Sequence, residues 1–243
     1  LSVKKIIKEP DVQFSVEELR LLLADMHESN INVSTREVYL HSYFELNGED
    51  SGMDYKMSSV FLKNMNLLNM ISTDNILIHQ QSVGGDWFCG IAIYDIILAS
   101  ASHTTMLSNG IAASMASLTL QACDTRVLFP NCEFMIHFGS LGASGINKEV
   151  YASVEQCKTT DTKMLEIFSS RCMNGSYFKN KKFTKKQVIS YLKRRMGEKV
   201  DWYMSAEEAL EYGFIDGILG QKGFEDANEI RKTRRNIKKY RKN

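Results

Sequence analysis

Between Ile96 and Cys123 the chain carries no Asp, Glu, Lys or Arg. A charge-free run of this length is either a bilayer span or the centre of a folded core. It also holds His103, Asn109, Gly110, Gln121 and eight Ser/Thr, with Asn109-Gly110 near its middle. A spanning helix would have to bury those groups in hydrocarbon, and Asn-Gly is a turn signal. The expectation is therefore a soluble core broken by a turn, with no membrane partner.

The rest of the composition fits one large domain with appendages. The chain has 243 residues, 44% of them hydrophobic and 24% charged. That suffices for a sizeable core and excludes a disordered or fibrous chain. With only Pro10 and Pro130 there is no proline-rich linker. Cys89, Cys123, Cys132, Cys157 and Cys172 form no CxxC pair, so neither a zinc site nor a disulfide scaffold is expected. Reduced thiols and a start without a signal-peptide run make the cytoplasm the expected compartment, with an organelle matrix or stroma and a phage-infected cell as the other settings. From Gln221 to Asn243 there are nine Lys/Arg against three Asp/Glu. This basic tail follows an acidic body. It is read as a solvated charge run, with docking to an acidic protein or nucleic acid as the sharper reading; nucleic acid is not the expected partner.

The periodicity predicts alternating strands and helices. Ser15-Val-Glu-Glu18 is a capping box opening a helix through Met26. Glu37–Phe44 is expected to be a strand, Met53–Leu68 an amphipathic helix, and Ile76–His79 a buried strand. Ser82-Val-Gly-Gly85 turns the chain into a helix over Trp87–Leu98. A second such unit follows, with a strand at Thr104–Leu107, a turn at Ser108–Gly110 and a helix over Ile111–Cys123. Arg126–Phe129 and Glu133–His137 read as strands. The glycine-rich run Gly139–Gly145 leads to a long helix over Asn147–Cys172. Asn174–Lys182 reads as a polar, basic loop, and Thr184 caps the next helix. Ser205-Ala-Glu-Glu208 is a further capping box, its helix stopped by Gly213, and Phe214–Leu219 is the last strand. The order implies an α/β fold with crossover connections.

Four positions could carry chemistry. Gly84-Gly85, between strand and helix, exposes amides that can bind an oxyanion, although a glycine pair is also the simplest turn. Ser114, near a helix start among small residues, suits a nucleophile or simply close packing. His137 ends an apolar strand, where a general base and a hydrogen-bonded structural histidine are both reasonable. His27, His41, His79 and His103 show no acidic neighbour pattern and suggest no metal site. Asp201 precedes the capped helix and could orient an imidazole, or be a solvated loop charge.

Taken in order, these segments resemble the caseinolytic (Clp) protease proteolytic subunit family. The matching motifs are Ser82-Val-Gly-Gly85, Gly90-x-x-Ile-Tyr-Asp95, Gly110-Ile-Ala-Ala-Ser-Met115, Leu128-Phe-Pro-Asn131, Met135-Ile-His137 and Asp201-Trp-Tyr-Met-Ser-Ala-Glu-Glu-Ala-Leu-Glu-Tyr-Gly-Phe-Ile-Asp216. The resemblance covers about residues 36–219. It implies a crotonase-like ββα superhelix in which Asn147–Cys172 is a handle helix. The peptidase domain would span 36–220, between an N-terminal extension (1–35) and the tail (221–243).

By the same resemblance Ser114 is the nucleophile, His137 the general base and Asp201 the orienting carboxylate. The amides of Gly85 and Met115 form the oxyanion hole, and Gly84, Phe138, Gly139 and Leu141 contact substrate. No metal or organic cofactor is implied. The implied partners are further copies in a heptameric ring or double ring, an AAA+ ATPase unfoldase, and unfolded polypeptides. Three departures stand out. Val83 replaces a usual proline, and Phe138-Gly139 a usual Gln-Pro. Val200 replaces an arginine tied to ring–ring contacts, which implies a stable single ring that pairs conditionally. Competing readings are a non-proteolytic ring subunit and a crotonase-fold acyl-CoA enzyme; the Ser–His–Asp set disfavours both.

Overall fold

A computed structural model describes residues 15–41 and 52–232. The N-terminal residues before Ser15, the end of the strand expected to reach Phe44, and the basic run from 233 lie outside the described residues. In chain order the elements are α1 (Val16–Glu28), β1 (Ile31–Asn32), β2 (Glu37–His41), α2 (Tyr55–Ile71), β3 (Ile76–Ser82), α3 (Trp87–Ala99), β4 (Thr104–Ala113), α4 (Met115–Leu120), β5 (Thr125–Leu128), β6 (Glu133–His137), α5 (Asn147–Cys172), α6 (Ser176–Asn180), α7 (Lys185–Lys199), β7 (Asp201–Met204), α8 (Ala206–Tyr212), β8 (Gly217–Ile218) and α9 (Ala227–Lys232).

The fold is mixed α/β around one sheet. Along it the order is β1-β2-β3-β4-β5-β8, with β6 pairing β4 and β7 pairing β6. Pairs from β2 through β8 along that path are parallel, whereas β1–β2 and β6–β7 are antiparallel. Both faces of the parallel strands are covered, which is why their sequences read as apolar runs rather than alternation. Ile76, Ile78 and Met106 face the main core, with α2, α3 and α4 helping to cover it. Leu77, Leu107 and Val127 face the other way, against Phe224, Ala227 and Ile230. Residues just past the expected domain end thus lie against the sheet.

The charge-free segment is core, divided between the end of α3, all of β4 and α4. Its internal turn does not form. β4 runs unbroken from Thr104 to Ala113, and the helix expected from Ile111 starts only at Met115. The reason is long-range pairing: β4 lies beside β5 through Ser108, then beside β6 from Ile111 to Ala113. Among the described residues no helix is long and apolar enough to cross a membrane.

Other boundaries shift for local reasons. Met53 lies before α2, in an isolated bridge to Gly85, and Asp54 caps the helix. The capping boxes of α1, α7 and α8 form as expected, and Gly213 ends α8 in a left-handed conformation. The polar loop at 174–182 contains α6, where Phe178 is fully buried against Tyr177, Tyr191 and Tyr212. Asp201 is not in a loop. It opens β7, a strand whose burial alternates.

Candidate active site

Three adjacent strands bring the site together. β4 and β6 run parallel with Ala113 beside Met135, and the Ser114 amide donates to the Met135 carbonyl at 2.9 Å. Two residues beyond Met135 is His137, and across the antiparallel β6–β7 pair His137 faces Asp201. Ser114, His137 and Asp201 are therefore aligned by backbone register before any side chain is considered. Their side chains complete the row. His137 Nε2 is 2.8 Å from Ser114 Oγ, and His137 Nδ1 is 2.8 Å from Asp201 Oδ1. An ionised carboxylate only accepts, so Nδ1 carries the proton and Nε2 is left to accept from the serine hydroxyl. Such a chain can raise the nucleophilicity of Ser114 and stabilise an imidazolium.

Ser114 occupies the junction of β4 and α4 with φ 54° and ψ −124°. A side-chain-bearing residue rarely holds that conformation, and such strain persists only where surrounding contacts over-determine it. Here they do. The Ser114 carbonyl accepts from Ser117 Oγ at 2.6 Å and from the Leu118 amide. Beneath, the fully buried Gln80 donates to the Ala116 carbonyl and Thr119 Oγ1 while accepting from Ser108 Oγ. α4 is thus fastened to β3 and β4 by side chains with no chemical role of their own.

The glycine turn lies directly against this junction. A Cβ on Gly84 would meet the Ala113 carbonyl, the Met115 amide nitrogen and Ser114 Cβ, each at 2.7 Å. Gly84 also has φ +96°, where side chains are strained. Its carbonyl accepts from the Met53 amide at 2.7 Å, and the Asp86 amide donates back to the Met53 carbonyl at 2.9 Å. In a trans peptide the N–H points opposite to the C=O. Holding the Gly84 carbonyl toward Met53 therefore turns the Gly85 N–H away from Met53, toward the cleft that Gly85 lines. The Met115 amide, first in α4, has no helical partner. Among the described residues neither amide donates to another backbone group, and both residues line the cleft with Ser114, which makes them candidate donors to an oxyanion.

The cleft has a volume of about 770 Å³ and is lined by Ser114, His137, Gly85 and Met115, by Gly139 and Leu141, and by one face of α5. Of the residues expected to contact substrate, Gly84 and Phe138 are not in the lining. Gly84 is buried behind the turn, and Phe138 packs on the core. The α5 wall was missed by sequence reasoning. Cys157, Asp161, Met164 and Phe168 recur at three- and four-residue intervals, and that spacing was the available signal.

His79 has an acidic neighbour after all. Its Nε2 is 2.6 Å from Glu37 Oε2, across the β2–β3 pair. Among the described residues no group of three His, Cys, Asp or Glu could hold a metal ion. The five cysteines are unpaired. Burial pushes the thiols of Cys132 and Cys172 up to about 12, which leaves them protonated and unreactive at neutral pH.

Comparison with known protein families matches residues 50–222 to the family described as Clp protease. Several curated relatives carry the name ATP-dependent Clp protease proteolytic subunit. That of Streptococcus mutans is 31% identical over 152 residues, 61% of this chain and 70% of the relative. That of Chlorella vulgaris is 32% identical over 145 residues, 59% of this chain and 65% of the relative. That of Deinococcus radiodurans is 29% identical over 140 residues, 57% of this chain and 61% of the relative. The aligned part of the chain spans less than two thirds of the length of the last two. With most of its length matched, and with a relative above 30% identity covered over more than two thirds, the chain belongs to the Clp protease family.

Proposed function

We propose that this chain is a serine endopeptidase subunit that hydrolyses peptide bonds in unfolded polypeptides. The observation that carries the reading is the continuous Ser114–His137–Asp201 hydrogen-bond row in a cleft that Gly85 and Met115 also line. Ser114 Oγ attacks the peptide carbonyl carbon as its proton passes to His137 Nε2. The carbonyl oxygen, now anionic, accepts from the two amides, and Asp201 stabilises the imidazolium. The C–N bond breaks as the imidazolium protonates the leaving amine, which leaves an acyl ester on Ser114. Water then attacks the ester as His137 takes its proton; the bond from the acyl carbon to Ser114 Oγ breaks, the imidazolium returns the proton to that oxygen, and a carboxylic acid is released. No step calls on a metal or organic cofactor.

The family supports further parts of the reading. The fold is proposed to be the crotonase-like ββα superhelix, with residues 36–220 as the peptidase unit, α5 as the handle, and 1–35 and 221–243 as appendages. Gly139 and Leu141 would guide the substrate strand. Several copies would close a ring around the cleft, and an ATP-driven unfoldase would feed it. Val200, strained at φ 63° just before Asp201, stands where the family's arginine supports ring pairing, so a single ring is expected to be the stable form.

Native mass measurement paired with two substrates tests this. A ring should form, cut short peptides without ATP, and leave folded proteins intact unless an unfoldase and ATP are added. A monomer that digests folded protein unaided would contradict the chamber. Intact peptides after prolonged incubation with the assembled ring would favour the non-proteolytic reading.

A further inference from the structure

The cleft beside Ser114 carries charge of one sign. Its lining includes two carboxylates, Asp86 and Asp161, and no Lys or Arg. Asp86 is already engaged, accepting from the Cys89 amide as the cap of α3. Asp161 is different. It lies on α5 half-buried and makes no hydrogen bond or salt bridge among the described residues. Burial pushes its carboxyl up, and the charge of exposed Lys193 on α7 works against that shift. A half-buried carboxylate in this setting is stabilised by any cation brought to it.

Beyond Asp161 the same wall becomes apolar. Met164 and Phe168 follow on the same helix face, and Met115 and Leu118 add apolar surface from α4. An apolar floor with a carboxylate at one edge matches a long side chain that has a hydrocarbon stem and a positive head. We infer that Asp161 makes this cleft select lysine or arginine next to the scissile bond and reject acidic side chains there. An apolar floor alone would accept leucine or methionine equally well and could not favour the ammonium. This inference rests on the serine peptidase reading and names its substrate class.

Labelling rates separate the two. Three peptidyl phosphonates differing only in the residue carrying phosphorus would be compared: lysine, norleucine (the same stem without the ammonium) and glutamate. A small fluorophosphonate without a peptide reports on Ser114 alone. The wild-type chain should react with the lysyl probe at least as fast as with the norleucyl probe, and about tenfold faster than with the glutamyl probe. In Asp161→Asn the lysyl rate should fall about fivefold, the worth of one partly exposed ion pair. The norleucyl and fluorophosphonate rates should stay within twofold, and the glutamyl rate should rise. Added salt should lower the wild-type lysine-to-norleucine ratio. Asp161→Lys should reverse the lysine–glutamate order. An unchanged lysine-to-norleucine ratio in Asp161→Asn, with normal fluorophosphonate labelling, would overturn the role of Asp161 and leave the peptidase reading standing. Absence of fluorophosphonate labelling in the wild type would overturn both.

Discussion

On one wall of the cleft, the turn through Gly84 and Gly85 is held by backbone and the start of α4 by backbone together with the buried side chains of Gln80 and Ser117; on the other, α5 presents side chains along one face. The first wall has no room. Gly84 touches Ala113, Ser114 and Met115 at distances that exclude a methyl group, and Met53 pins its carbonyl. The second wall is graded from Cys157 and Asp161 to Met164 and Phe168, and its polar positions are half-buried or exposed. The groups proposed to meet the reacting atom are placed largely by main-chain register. The groups proposed to choose among substrates are placed by replaceable side chains. Bond-breaking and selectivity should therefore respond separately to substitution.

The largest expected effect lies in the hydrogen-bonded row itself. His137→Ala should reduce peptide hydrolysis by about 10⁴-fold, on the scale of Ser114→Ala, because members of such a row act as a unit. A loss of only about tenfold, measured with one peptide across both variants, would remove His137 from the proton path. Next comes the closed wall. Gly84→Ala should lower kcat by about 10²-fold with KM within threefold, since it displaces the proposed oxyanion donors rather than the α5 wall. A change confined to KM would mean that the two walls are not separable.

The smallest catalytic effect is expected at Asp216, which shares a sequence motif with Asp201 yet sits elsewhere. Asp216 receives Arg126 Nε and Nη2 at 3.0 and 2.7 Å and the Arg126 amide at 2.9 Å. Burial opposes its ionisation, but the Arg126 charge, these hydrogen bonds and Arg171 together hold its carboxyl below the usual range. A depressed carboxylate stabilises the fold fully above its unfolded value of about 4, and that contribution is lost as pH falls through the native value. Asp216→Ala should cost about 3 kcal/mol at neutral pH by denaturant unfolding, because Arg126 is left buried and unpaired. The difference from wild type should shrink on acidification below about pH 4. The surviving folded fraction should keep its kcat within twofold.

Asp201 and Asp216 also show what the sequence could and could not reveal. Local chemistry was legible: Ser205 and Glu208 cap α8, Gly213 stops it, and α5 runs from Asn147 to Cys172 as its pattern predicts. Long-range pairing was not. Ile111-Ala-Ala113 suits a helix or a strand equally well, and only the edge of β6 decides for the strand. Asp201 read as a loop residue although Trp202 and Met204 alternate inward behind it, because four residues give too short a pattern. The 174–182 segment read as polar since its lysines outnumber its aromatics, yet Phe178 is drawn into a cluster supplied by α7 and α8. The row of Ser114, His137 and Asp201 emerged from a family resemblance, whereas the Met53 brace and the α5 wall needed coordinates.

The most direct measurement is intact-mass analysis and peptide mapping after exposure of the full chain to a fluorophosphonate. One adduct per chain is expected, on Ser114, absent in Ser114→Ala and strongly slowed in His137→Ala. An adduct on another residue, or labelling that persists in Ser114→Ala, would contradict the assignment of Ser114 as the activated nucleophile.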